Sequence, residues 1–400
     1  MTPTAAPDST AIMMLCAPLS VGDGDAPPLS PGEWAKLAAA IAASDVGRPA
    51  ALVGLSAEEI AKRVGVDPAL GQRIESLLQR GGPLAFELER LESRGAWLMT
   101  RADDDYPGRL RQRLGLKAPA VLFGAGPRAT LSTGGVAMVG SRDASDEALE
   151  FARAFAGRLA GEGTTVISGA ARGIDRTAMG AALEAGGLAV GVLADDLTRM
   201  MQQTQTRSLI EEGQLTLVTP YAPTARFTPG NAMARNKLVY CLADAAVVVA
   251  TSSGKGGTWI GALENLKAQW VPLWVWRDDG AGPANRELVD AGALALLSAG
   301  MPAGGLQAWL SGPFERPQDL EGETQDLFDH VWPLLAAFLA SPRKEGDVAE
   351  RFGLQRSQAR SWLQRAVELG LVTRNTRPVS YRISPASEPI SQPSLFEDGP

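Results

Sequence analysis

Ile167-Ser-Gly-Ala-Ala-Arg-Gly-Ile-Asp175 reads as the end of a buried strand that turns through small residues into the start of a helix. The two glycines permit a tight turn whose backbone amides can converge on an anion, and Arg172 adds positive charge. Such a joint belongs at the carboxyl edge of an open α/β sheet, where helix N-termini face a ligand. Working outward, short apolar runs recur at 136–139, 164–167, 188–193, 215–218, 245–250 and 271–276, as expected for strands buried on both faces. Helical segments at 146–162, 177–185, 206–212, 234–242 and 258–268 separate most of them. This alternation predicts an α/β fold with a Rossmann-like, doubly wound, mostly parallel sheet.

Three further segments fall at the same predicted edge. Gly140-Ser-Arg142 follows the first strand and offers a turn, a hydroxyl and a bidentate fork for phosphate, although a turn with a solvated arginine has the same composition. Ser252-Ser-Gly-Lys-Gly-Gly-Thr258 is a second glycine-rich strand-to-helix loop. It lacks the upstream glycine of a Walker A loop, and Lys255 precedes Gly256 rather than a hydroxyl residue, which argues against ATP hydrolysis. Arg235-Asn-Lys237 opens a predicted helix, where it is either a basic ligand cluster or a solvated face. Asp175 suits a helix cap.

The bulk numbers narrow the chemistry. The 400 residues suffice for two or three domains, and 45% hydrophobic with 21% charged residues is an ordinary globular balance. The formal net charge of −7 argues against nonspecific coating of nucleic acid by the whole surface, but leaves room for local basic patches. Cys16 and Cys241 have no CxxC partner, so no metal site is expected and both suit buried small side chains. The one histidine, His330, lies in an acidic, proline-flanked stretch far from every glycine-rich loop, which disfavours His-dependent hydrolysis. No catalytic residue, cofactor or membrane span is expected, and the absence of a signal-like N-terminus points to the cytoplasm.

The flanks divide the chain further. Residues 1–29 are rich in Pro, Asp, Gly and Ser and are expected to be disordered or loosely attached. Residues 30–93 suggest a small helical domain, with a capping box at Ser56-Ala-Glu-Glu59 and a helix start at Asp67-Pro68. The sheet domain with its lead-in segment takes 94–300 and a linker 301–328. Residues 329–384 read as helices followed by two short strands, a winged helix-turn-helix, and 385–400 as a flexible tail. Nine basic residues oppose four acidic ones within 341–382. Arg356, Arg360 and Gln364, four residues apart, share one face of the candidate recognition helix and could touch DNA.

Val139-Gly-Ser-Arg-Asp-Ala-Ser145, Ser168-Gly-Ala-Ala-Arg-Gly-Ile-Asp175, Ala181-Ala-Leu-Glu-Ala-Gly-Gly187 and Arg235-Asn-Lys237 follow the signature order of the DprA/Smf family, which the chain resembles over about residues 90–296. Asn285-Arg-Glu-Leu-Val-Asp-Ala-Gly-Ala293 is similar to that family's closing motif, and Asp105-Tyr-Pro107 with Ala118-Pro-Ala-Val-Leu-Phe-Gly124 to its lead-in. The resemblance implies single-stranded DNA binding without sequence preference, a homodimer, and a RecA-type recombinase as partner in transformation or recombination. It implies phosphate contacts from Arg142, Arg172, Arg235 and Lys237, with Gly140, Ser141, Ser168, Gly169 and Gly173 shaping amide pockets. Asn236, Ser253, Gly254, Lys255 and Thr258 complete the expected phosphate-binding set. Met179 stands where the family commonly has histidine, Lys237 where it usually has arginine, and Gly256-Gly-Thr-Trp259 where it reads Ser-Gly-Ser-Leu.

Two other resemblances set the alternatives. The loop Ser252–Thr258 is similar to that of lysine-decarboxylase-like phosphoribohydrolases, but three residues after Thr258 stands Gly261 instead of their catalytic glutamate, and Glu264 comes a turn too late. A nucleotide sensor, a hydrolase of that kind and a winged-helix regulator are thus the alternative functions. The tail Gln392-Pro-Ser-Leu395-Phe396 resembles the short peptide with which bacterial repair proteins dock on the sliding clamp.

Overall fold

In the computed structural model, residues 6–19, 26–252, 254, 256–312, 332, 335–352, 356–368, 371–376 and 379–384 are described. They form two compact units, Met1–Arg316 and Pro317–Pro400.

The first unit is built on a nine-stranded sheet: β1 (Ala96–Thr100), β2 (Val121–Ala125), β3 (Val136–Gly140), β4 (Val166–Ser168), β5 (Ala189–Val192), β6 (Leu215–Thr219), β7 (Ala245–Ala250), β8 (Leu273–Trp276) and β9 (Leu294–Leu296). Their spatial order is β1-β2-β6-β5-β4-β3-β7-β8-β9. The seven strands from β6 to β9 pair in parallel, and β2 and β1 add an antiparallel edge. From β3 the chain winds outward through β4 to β6, then returns to the other side of β3 as β7. The winding direction therefore reverses between β3 and β7, which is where a doubly wound sheet opens a crevice.

Both faces of the central strands are covered, which is why their sequences are apolar without alternation. Val136 and Met138 of β3 face a core shared with the helix Asp146–Gly161, whereas Ala137 and Val139 face one shared with the helix Pro229–Leu242. The predicted doubly wound sheet is thus the fold observed. β1 and β2 lay in the segment expected only as a lead-in, and β9 just past the expected closing motif.

The N-terminal expectation needs correction. Within 1–29, Pro7–Cys16 forms a helix in which Ala11 and Leu15 are fully buried. Its C-terminal carbonyls are held by buried Arg80, which donates to Met14 O at 2.6 Å and Ala17 O at 2.8 Å. Composition alone missed it, because one short apolar turn is anchored by a cation more than sixty residues away. The helices that follow, Pro31–Ala43, Ala57–Val64, Pro68–Leu78 and Gly81–Glu92, share a core with Val121 and Phe123 of β2 and Leu215 and Leu217 of β6. They belong to the same compact unit as the sheet, with no break at residue 93. The linker expected at 301–328 begins with a packed helix, Leu306–Leu310, whose Trp309 stacks on Trp274 at 4.6 Å.

In the second unit, the helices Glu345–Phe352 and Arg356–Glu368 precede the antiparallel pair β10 (Val372–Thr376) and β11 (Val379–Ile383). Ala359, Leu363 and Ala366 point into a core with Leu335, Leu339 and Tyr381. Arg356, Arg360 and Gln364 lie on the opposite, exposed face of their helix. Among the described residues, no helix is long and apolar enough to cross a membrane.

Candidate nucleic-acid interface

At the carboxyl ends of β3 and β7 lies a cavity of about 400 Å³. Gly140, Ser141 and Arg142 form one wall, the loop residues Thr251, Ser252 and Gly256 to Thr258 another, and Phe227, Arg235 and Asn236 a third. The loops are tied to one another. The Ser141 amide donates to Ala250 O at 2.8 Å, Thr258 Oγ1 donates to Gly140 O at 3.0 Å, and Asn236 Nδ2 donates to Gly257 O at 2.9 Å. Beneath them, fully buried Asn285 donates to Val249 O and Trp276 O and accepts from the Thr251 amide at 3.2 Å. It thereby fixes the ends of β7 and β8.

Arg235 is the centre of the cavity's electrostatics. It is mid-helix rather than at the helix start, 4% exposed, and among the described residues its Nε has no hydrogen-bond partner. Burial pulls the guanidinium below its ordinary pKa, while the negative charge of Asp175 opposes that shift. Asp175 is buried, and desolvation pushes its pKa up against the pull of Arg235 and of the amides of Gly140, Ala171 and Gly169. Asp175 is not the helix cap expected from sequence: Gly173 occupies that position without a side-chain cap, and Asp175 accepts the Gly140 amide at 3.3 Å instead. A buried guanidinium with an idle donor on a cavity wall suits an anion, because Asp175 offsets its charge but leaves its hydrogen bonding incomplete.

Two glycines make this possible. Gly169 leaves room for Arg235 Nη1 and Asp175 Oδ2 where any Cβ would collide with both. Gly173 adopts φ +85° and packs against the backbone of Ser141 and Arg142. At the rim, exposed Arg142 lies 4.9 Å above the ring centroid of Phe227, itself 46% exposed. Phe227 and Asn285 were absent from the sequence-derived set. The available signal for Phe227 was an aromatic residue beside Arg226 in a strand-to-helix loop.

Of the expected phosphate contacts, Gly140, Ser141, Arg142, Arg235, Asn236 and Thr258 come together in the cavity wall. The others are placed differently. Ser168 is fully buried and donates to Met138 O at 2.5 Å, so its hydroxyl is a strut between β3 and β4. Gly169 and Gly173 support the wall from below. Arg172 is a surface residue paired with Asp143. Lys237 lines a different cavity, and Gly254 is an exposed turn residue with φ +66°. Ser253 and Lys255 lie outside the described residues, as do Gln392, Leu395 and Phe396 of the tail and His330. Arg360 is held by Glu345, Nε to Oε2 at 3.0 Å. Cys16 and Cys241 are both buried, and the described residues contain no cluster of His, Cys, Asp and Glu able to hold a metal ion.

Residues 97–300 match the family model of DNA recombination-mediator protein A, and this span holds every residue of the cavity wall. The chain belongs to that family. A DprA/Smf-type chain is also what the curated relatives indicate. The DNA processing protein DprA of Mycobacterium tuberculosis (strain H37Rv) is 34% identical over 214 residues, covering 50% of this chain and 55% of the relative. Protein Smf of Escherichia coli (strain K12) is 30% identical over 208 residues, covering 49% and 55%. The matched region thus spans about half the length of these DprA/Smf relatives. The X-ray structure of DprA from Streptococcus pneumoniae shares the fold, with a TM-score of 0.51 at 21% identity over 67% of this chain and 95% of that one.

Proposed function

We propose that this chain binds single-stranded DNA without strong sequence preference and without catalysing a reaction on it, as a DprA/Smf-type mediator in DNA processing and recombination. The observation that carries this reading is Arg235, a buried guanidinium on the wall of a glycine-rich cavity at the sheet's switch point, its Nε without a hydrogen-bond partner among the described residues. A backbone phosphate there is bound by Arg235 and by Arg142 at the rim. The exposed ring of Phe227 provides a stacking platform for a neighbouring base, which is sequence-tolerant because every base has a π-face. In a chain of net charge −7 this binding is local, carried by a few cations and sensitive to salt. Family membership supports the further roles of a second copy of the chain and of a RecA-type recombinase as partners, and of transformation, recombination or phage defence as setting. The exposed Arg356 and the wing-like hairpin support a second DNA contact in the C-terminal unit.

Fluorescence anisotropy with labelled oligo-dT, with nucleoside monophosphates as competitors, tests the reading. Binding of oligo-dT that falls in Arg142→Ala and is displaced poorly by mononucleotides is the expected result. A second reading, a sensor for a free nucleotide, is favoured by the cavity's size of about 400 Å³ and its glycine-rich walls. Tight mononucleotide binding with no oligo-dT binding would replace the first reading with it.

A further inference from the structure

On the other side of the helix Pro229–Leu242 lies a second cavity, of about 450 Å³, between that helix, the Pro31–Ala43 helix and the loop after β6. Its walls are largely apolar, from Leu29, Pro119, Val121, Pro220 and Leu238, with the rings of Trp34 and Tyr221 among them. Trp34 is 3% exposed, and among the described residues its Nε1–H has no acceptor. A buried indole donor ordinarily finds a partner, so an idle one on a cavity wall calls for an acceptor supplied by a ligand. Lys117 and Lys237 also line the space, and among the described residues neither is in an ion pair. The nearest carboxylate on the tryptophan's own helix, Glu33, is engaged by Arg73 at 2.7 Å, which together with its bonds to Ser30 holds its pKa down to about 2. The cavity therefore combines flat apolar walls, one buried donor and two uncompensated cations. Its volume lies within the roughly 300–1,000 Å³ of small-ligand sites.

The ligand chemistry that matches is a planar, weakly polar ring bearing carbonyl acceptors and attached to an anion. We propose that this cavity receives a nucleobase, its carbonyl accepting from Trp34 Nε1 and its phosphate drawn to Lys117 and Lys237. The inference rests on the single-strand reading for its source: a base turned out of a strand whose phosphate sits in the first cavity. The two cavities share one helix, with Arg235 and Asn236 facing the first and Lys237 and Leu238 the second. The loop between β6 and that helix likewise gives Tyr221 to one and Phe227 to the other. A free nucleotide is the other source of the same chemistry.

The test uses the full chain, with oligo-dT, an abasic strand of equal length and thymidine monophosphate as probes. Ala234 is exposed at the cavity wall, so Ala234→Trp fills the space without entering the core, and Trp34→Phe removes the donor while keeping a ring. Each variant is expected to weaken oligo-dT binding by about tenfold, the scale of one lost base contact, and to leave abasic binding unchanged. Arg142→Ala weakens both strands. Unchanged affinity of both variants for oligo-dT and thymidine monophosphate, with Arg142→Ala still weakening the binding of both strands, overturns the base cavity and leaves the single-strand reading standing. Loss of thymidine monophosphate binding in the variants, with no strand bound even by the parent protein, supports the cavity with a free nucleotide as source and overturns the strand reading. No binding of any probe overturns both.

Discussion

Arg235 and Asp175 meet over Gly169: the guanidinium Nη1 and the carboxylate Oδ2 occupy the space that a Cβ on that glycine would need. Both charges are buried. The pair sits between the loop that begins at Ser168 and the mid-helix turn at Arg235, so one glycine couples the two most informative motifs in the chain. Gly169→Ala is expected to displace one or both side chains. Overpacking of this kind costs about 1–3 kcal/mol, and chemical denaturation should show the loss as a lower midpoint at unchanged slope. A variant as stable as the parent would mean that the two charges do not need this spacing.

The buried carboxylate gives a pH dependence whose sign can be worked out. Burial raises the Asp175 pKa in the folded protein above its unfolded value, so the folded state binds the extra proton. Stability then falls as pH rises from the unfolded to the folded pKa, and this group stabilises the fold more on the acid side. Other carboxylates act in the opposite direction: Glu33, bonded to Arg73 and Ser30, is lowered to about 2. The comparison must therefore be with Asp175→Asn, which does not titrate. The melting temperature of the parent relative to that variant is expected to rise as pH is lowered from 7 toward the ordinary carboxylate range. A difference independent of pH would show that Asp175 does not titrate with a raised pKa.

Asn285 was visible in the sequence only as part of a family motif, yet it makes two buried hydrogen bonds to the ends of β7 and β8 and a third, part-buried, with the Thr251 amide. Asn285→Ala strands two carbonyls and an amide. Each unsatisfied buried group costs about 1–3 kcal/mol, so a large fall in melting temperature is expected. Loosening of the loop that starts at Thr251 should weaken oligo-dT binding as well. Full stability in this variant would mean that water replaces the amide without loss.

The sheet was legible because its central strands are buried on both faces, and such strands announce themselves as continuous apolar runs. The edges were not. β9 is three residues long with Leu294 exposed, and β1 is only partly covered, so neither carries the pattern. The helix Pro7–Cys16 hid for a different reason: its anchor, Arg80, comes from a distant segment. In the site, glycine loops and arginines could be found by composition, but their facing could not. Arg235 and Lys237 look alike in sequence, yet two residues along a helix are about 200° around its axis, which sends them to different cavities. Phe227 carries no motif at all and becomes informative only once Arg142 is found above its ring.

That ring contact allows the last prediction to be made as a cycle. Arg142 bound over Phe227 is held near the cavity mouth, and a base stacking on Phe227 must share or displace it. Phe227→Ala removes the platform and is expected to weaken oligo-dT binding by about tenfold, with little effect on an abasic strand. Arg142→Ala should weaken both strands and shallow the salt dependence by about one phosphate contact. If the two side chains act together, the double variant loses less than the product of the single losses, because each single change already frees the other partner. Strictly multiplicative losses, read by anisotropy at several salt concentrations, would show that the arginine binds phosphate and the ring binds base independently.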